Sequence, residues 1–183
     1  MKKTLTLIAA LAASHFAHGA PIKTQSAHVS FFSSTPAEDI ASNNYSVTSV
    51  IDPETAKLAF SVPMQAFEFK KALMQKHFNK KDFLDTRAYP RATFTGTIEN
   101  AASLDLSQPG SYEVLVKGVL EIKGVKKEIE QNGTITVTEA GIEATSKFDL
   151  TLADFGIVFK GGKPATNIAK TIEVTVNSNY SKS

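Results

Sequence analysis

From Tyr112 onward, apolar and polar positions alternate with a period of two. Tyr112, Val114, Val116, Gly118, Leu120 and Ile122 form one row, interrupted on its polar side by Leu115 and Val119. Ile142, Ala144, Ser146, Phe148, Leu150 and Leu152 form a second row against Glu143, Thr145, Lys147, Asp149 and Thr151, and Ile172, Val174 and Val176 form a third. Successive side chains of a strand point to opposite faces, so each row predicts a strand with one face toward an apolar space and the other toward water. Segments 26–32, 44–52, 56–63 and 91–100 carry the same β-branched and aromatic enrichment. Asp52-Pro53-Glu54, Gln108-Pro109-Gly110, Gly124, Asn132-Gly133, Glu139-Ala140-Gly141 and Gly161-Gly162 are turn signals between the rows. The pattern predicts an antiparallel meander of about eight strands.

One stretch breaks the period. Phe69, Leu73, Met74 and Phe78 recur at helical spacing, with Lys70, Lys71, Gln75 and Lys76 on the other face, which predicts one short amphipathic helix inserted after the third or fourth strand. Asn79 is its stop signal, and Tyr89-Pro90 ends the irregular segment that follows. One-sided strands must bury their apolar faces in a two-sheet sandwich or in a closed barrel. The pattern favours the barrel. Phe31, Phe32, Phe60, Phe67, Phe69, Phe78, Phe83, Phe94, Phe148, Phe155 and Phe159 then become candidates for lining an enclosed space, or are ordinary core.

The first residues carry a different signal. Lys2 and Lys3 precede an apolar run from Leu5 to Ala13, and Ala17, Gly19 and Ala20 supply small residues. This is the layout of a secretory signal peptide, with cleavage expected after Gly19 and a single domain over 20–183. The run falls short of the roughly 20 residues of a membrane span. Export to the periplasm or the exterior is the expected location. The removed segment holds two lysines and no acid, so it accounts for the whole formal charge of +2. A neutral remainder argues against nucleic acid as a partner, because phosphate binding needs clustered Lys and Arg.

Composition narrows the chemistry further. With no Cys, the 183-residue chain has no disulfide, no zinc ribbon and no thiol nucleophile. Beyond the leader only His28 and His77 remain, in no metal-binding spacing, so neither a metal nor a cofactor is expected. Gly161-Gly162-Lys163 lacks the spacing of a phosphate loop, and Asp154-Phe155-Gly156 lacks the motifs that accompany it in kinases. Asn44, Asn132 and Asn179 match the Asn-x-Ser/Thr pattern, as chance in a Ser/Thr-rich chain also provides. No Gly-x-Ser-x-Gly elbow is present, and the one hydrolase arrangement left open is Ser26 with His28. The sequence therefore offers no recognisable catalytic constellation, and an enzyme is not expected.

His77-Phe78-Asn79-Lys80-Lys81-Asp82-Phe83-Leu84-Asp85, followed by Tyr89-Pro90 and Phe94, resembles the signature of the YceI-like family. Gly118-Val119-Leu120-Glu121-Ile122-Lys123-Gly124 is similar to that family's central hairpin, and Asp154-Phe155-Gly156-Ile157 to its late strand start. The three motifs stand in order along nearly the whole mature chain. The resemblance implies an extended lipocalin-like antiparallel β-barrel that holds a long-chain amphiphile, either a polyisoprenoid or a fatty-acid-like lipid. In the family pattern an Arg often stands three residues before the His and another two before Asp-Phe-Gly. Here those positions are Met74 and Leu152, which implies a less polar head group or a different grip on it.

The predicted ligand-contacting residues, in the cavity or at its mouth, are Phe31, Phe60, Phe67, Phe69, Leu73, Met74, His77, Phe78, Phe83, Phe94, Phe148 and Phe155. His77 either bonds a head group or ties the helix end to Asp82 or Asp85, and the two aspartates are expected to cap the turn that presents Phe83. The helix and the loop after it are the expected flap. A homodimer is compatible with a barrel open at two ends. The alternative is a ligand-free structural or stress-related interaction protein with a packed barrel.

Overall fold

A computed structural model describes residues 20–159 and 163–181. The expected leader, residues 1–19, and the Gly161-Gly162 turn lie outside the described residues. The strands are β1 (Ile22–Ser34), β2 (Asp39–Asp52), β3 (Lys57–Pro63), β4 (Glu68–Phe69), β5 (Arg91–Ile98), β6 (Gly110–Ile122), β7 (Val125–Val137), β8 (Gly141–Thr151) and β9 (Thr171–Ser181). Helix α1 (Ala72–Phe78) follows β4. A second short helix, α2 (Lys163–Asn167), precedes β9, where the apolar pattern gave no signal.

All pairings are antiparallel, in the order β1-β9-β8-β7-β6-β5-β3-β2, and β1 also pairs with β2. The ladder thus closes on itself as an eight-stranded barrel, the architecture the alternating rows predicted. The rows face as expected: Ile142 and Leu150 of β8 and Val174 of β9 are buried, while Glu143, Lys147 and Asp149 are exposed. The β6–β7 hairpin turns on Lys123 and Gly124, with φ of 52° and 76°. Positive φ at both central residues gives the turn a twist that matches the strands it joins.

Asn132-Gly133 does not form a turn. Both residues sit inside β7, Asn132 opposite Leu115 and Gly133 opposite Val114. Local turn preference loses here because β6 offers a backbone partner to every residue from Val125 to Val137. The dipeptide instead marks where β7 leaves its other neighbour: β8 pairs with β7 only through Gly133–Val137, opposite Ser146–Ile142. At the last pair the Ser146 hydroxyl donates to the Asn132 carbonyl at 2.7 Å, replacing a ladder bond that the separating backbones no longer make.

Two apolar clusters occupy the interior. Ile51, Leu58, Ile98, Val114, Ile135, Val137, Ile142 and Tyr180 plug one end, with Leu104 and Leu106 of the β5–β6 connection packed on them. The expectation of a barrel open at both ends is therefore wrong for this end, because the connection folds back over it. The second cluster, at the other end, gathers Met64, Phe67, Phe78 and Leu84 of the inserted segment with Leu152, Phe155 and Ile157.

Tyr180 carries the polar contact of the plugged end. Its hydroxyl lies 2.6 Å from the Ser49 hydroxyl, and the Ser49 amide donates to Thr24 Oγ1 at 3.0 Å. Burial raises the Tyr180 phenol above its usual value of 10.0, partly offset by the Ser49 hydrogen bond. A group with a raised folded-state pKa stabilises the fold fully below its unfolded value, and that stabilisation fades as pH climbs through the folded value. Tyr180→Phe is expected to cost about 1–2 kcal/mol near neutral pH by leaving Ser49 without its partner. Urea titrations at neutral pH and above pH 10 test this: the wild type should lose more stability on alkalinisation than the variant.

Candidate functional site: a cavity lined by phenylalanine

The barrel encloses one continuous cavity of about 730 Å³ that runs from the plugged end to the inserted segment. Its floor is Ile51, Leu58, Ile135 and Tyr180, and its walls are Val29, Leu120, Phe148, Leu150, Val174 and Val176 from the inward rows. Packed interiors rarely contain voids much larger than a water molecule, so a space of this size is more than a packing defect.

Small residues on the wall, Gly133, Ala144 and Ser146, leave the middle of the barrel hollow, while Phe94 covers a pair of glycines beside them. Gly96 of β5 and Gly118 of β6 are directly paired. A Cβ on Gly96 would come within 2.7 Å of the Phe94 ring and one on Gly118 within 2.7 Å of the same ring, so Phe94 lies over the two glycines along the wall. The same hypothetical atoms would approach the Lys117 carbonyl at 2.5 Å and the Thr95 carbonyl at 2.4 Å, so backbone as well as ring excludes a side chain here.

Next to β2 the wall is completed by the inserted segment. β3 pairs with β2 only over Thr48–Asp52, which leaves the first half of that edge open. β4 takes up Ser42 and Asn43. The fully buried Ser42 donates to the Glu68 carbonyl at 2.8 Å, and the fully buried Asn44 amide to the Pro63 carbonyl at 2.8 Å. Asn44 is thereby committed to the wall. Once fixed, the segment delivers its aromatics: Phe78 stands 5.9 Å from Phe31, 5.4 Å from Phe67, 5.1 Å from Phe69 and 6.0 Å from Phe83 between ring centroids. Phe83 stacks in turn on Phe159 at 5.2 Å.

Of the predicted contact residues, Phe31, Phe60, Phe67, Phe69, Leu73, Met74, His77, Phe78, Phe83, Phe94 and Phe148 all line the cavity. Phe155 does not. It is buried in the turn after β8, in the cluster that also holds Leu152 and Ile157. Phe32 points out of the barrel and is 41% exposed, being one residue out of step with the inward Phe31. Leu73, 62% exposed, and the exposed His77 stand at the mouth.

His77 does not tie the helix to Asp82 or Asp85. That role belongs to Asn79, whose amide donates to the Gln75 carbonyl at 3.0 Å while its Oδ1 accepts from the buried Thr86 hydroxyl at 2.8 Å. Asp85 holds the following turn through its backbone, at φ 45° with its amide bonded to the Lys80 carbonyl at 2.8 Å. Asp82 is exposed and lines the mouth.

The aliphatic lining was implicit in the period-two rows, but a polar clasp at the mouth had no sequence signal. Glu38 accepts from Lys71 at 2.7 Å and from the Asn167 amide at 2.9 Å. Three segments far apart in sequence meet there, and only the fold brings them together. Ser26 and His28 do not form a catalytic pair: His28 bonds Asn43 at 3.0 Å and stacks on Tyr45 at 4.5 Å, while Ser26 accepts from Asn179 at 3.4 Å. Among the described residues no group of three or more His, Cys, Asp or Glu side chains could hold a metal ion, and no helix is long and apolar enough to cross a membrane.

A profile of the YceI-like domain matches residues 19–180. The chain belongs to the YceI-like family. No curated protein sequence matches it. Among solved structures it resembles a polyisoprenoid-binding domain from Saccharophagus degradans implicated in plant cell wall breakdown, at TM-score 0.74 and 15% identity over 88% of this chain and 98% of that one. It also resembles BcnA of Burkholderia cenocepacia, at TM-score 0.68 and 18% identity over 84% and 95%, and the YCEI protein of Campylobacter jejuni, at 0.62 and 19% over 78% and 84%. These likenesses establish the shared barrel. Met74 and Leu152, which stand where the YceI-like pattern often has Arg, both line the cavity and keep its wall apolar at those points.

Gly118→Ala is expected to destabilise the barrel by about 1–3 kcal/mol through overpacking against Thr95 and Phe94. Equilibrium denaturation measures the loss. A crystal structure of the variant should show the Phe94 ring displaced into the cavity.

Proposed function

We propose that the protein is an exported carrier that sequesters one long-chain amphiphile, a polyisoprenoid or fatty-acid-like lipid, within its barrel. The observation that carries this reading is the continuous apolar cavity, closed at one end by the Tyr180 cluster and rimmed at the other by α1. The S. degradans relative is described as polyisoprenoid-binding, which agrees in chemistry. At ~0.8 kcal/mol per buried methylene, a chain of about 15 carbons gains on the order of 12 kcal/mol gross. Association and chain ordering remove several kcal/mol of that. Because a bilayer offers the same burial, competition between membrane and barrel decides uptake and delivery. The hollow interior favours this reading over a packed, ligand-free barrel.

Native mass spectrometry of protein purified from its own cells tests the proposal, with a bound lipid of defined mass expected. Repeated recovery of ligand-free protein that ignores added geranylgeraniol would sink it. Phe148→Asp should abolish lipid retention by placing a carboxylate on the apolar wall, with circular dichroism confirming that the variant folds. Export is checked by the intact mass of protein from the periplasmic fraction and the medium, which should lack residues 1–19.

A further inference from the structure

We infer that the cavity has a second, lateral opening between β7 and β8, and that this seam holds the head group of the bound amphiphile when that head is neutral and hydrogen-bonding, such as a hydroxyl or a carbonyl. The inference rests on the lipid-binding reading and adds the place and chemistry of the head group.

Three observations carry it. Beyond Gly133 the two strands part: Val125–Asn132 of β7 pairs only with β6, and Lys147–Thr151 of β8 only with β9. The top of the gap is closed where Ile122 and Val125 pack on the cluster containing Leu152 and Ile157, so the open part lies along the barrel's flank. The cavity reaches this flank, since its lining includes the outward-facing Asn132 and Thr145 as well as the inward Gln131 and Ser146. Strand parity alone would not expose both faces to one enclosed space.

The chemistry of the flank differs from that of the mouth. The charged side chains lining the cavity are Glu38, Lys71, Lys80 and Asp82, all at the α1 end, and Glu38 and Lys71 neutralise each other at 2.7 Å. The seam has none of them. It offers the Gln131 amide, half-buried and without a hydrogen bond to any described residue, and the Thr145 hydroxyl, which also lines the cavity. An amide held at the edge of an apolar space can donate to a carbonyl or accept from a hydroxyl, which matches a neutral polar head, and no charged side chain lines the cavity at this flank. The remaining length of the cavity, from the flank to the ring of phenylalanines, takes the chain.

Photo-crosslinking locates the head. Geranylgeraniol carrying a diazirine next to its hydroxyl should label Gln131–Thr134 and Thr145–Ser146, and a probe with the diazirine at the far end of the chain should label the interior elsewhere. Head-group labelling confined to residues 71–83 would overturn the seam assignment and leave lipid binding intact, while no labelling by either probe would remove the lipid reading and the seam with it. In parallel, Gln131→Leu should lower the ratio of affinities for phytanol over phytane, its headless hydrocarbon counterpart, by about five- to tenfold, the worth of one hydrogen bond. An unchanged ratio in the folded variant overturns the proposal.

Discussion

β1 is hydrogen-bonded along both edges, to β9 on one side and β2 on the other, and that closure governs the rest of the molecule. Strands in a ladder sit about 4.8 Å apart whatever their side chains, so strand number sets the girth of a closed sheet. At eight strands the interior is filled only if the inward positions carry enough bulk. Here the cavity wall includes Gly133, Ala144 and Ser146 between ends packed with large side chains. The hydrophobic effect seals the ends and the backbone holds the walls apart. With no cysteine, no disulfide contributes, and β-ladders, apolar packing and side-chain hydrogen bonds stabilise the described fold.

A barrel closed by hydrogen bonds is weakest where neighbouring strands differ in length. β2 outruns β3, and the open edge is covered by the inserted segment through β4, Ser42 and Asn44. That patch brings Phe67, Phe69, Phe78 and Phe83 to the cavity, so the device that completes the wall also lines the mouth. β7 outruns its pairing with β8 in the same way, and there only Ser146 bridges the first step of the gap. Incomplete pairing at two places thus produces both the aromatic mouth and the polar flank.

The mouth is held by contacts between segments distant in sequence. Glu38 from the β1–β2 connection meets Lys71 ahead of α1 and Asn167 of α2. Ser33 at the end of β1 accepts from the Ala169 amide at 2.9 Å, a second tie from this rim to the chain after α2. Asn79 and Thr86 fasten the far end of α1 to the loop behind it. α1 spans only Ala72–Phe78, too short to be stable on its own in water, and it owes its place to these anchors and to Phe78 in the aromatic cluster.

Much was legible in the sequence because a strand's side-chain period is local. Alternation at Tyr112–Ile122 and Ile142–Leu152 identified the strands and their inward rows, the break in period at Phe69–Phe78 identified the helix, and the family motifs identified the barrel. Asn132-Gly133 was misread as a turn because turn preference is also local, whereas the partner strand that overrides it is not. Phe155 and Phe32 were grouped with the lining on aromatic composition alone; Phe155 lies beyond the end of β8, where no strand alternation sets its direction, and Phe32 is one residue out of step with the inward Phe31. What the sequence by itself determined was which side chains could face inward. Tertiary structure decided where those side chains met: they pack at the two ends and leave a hollow between, because closure sets the girth of the barrel before glycine, alanine and serine can fill it.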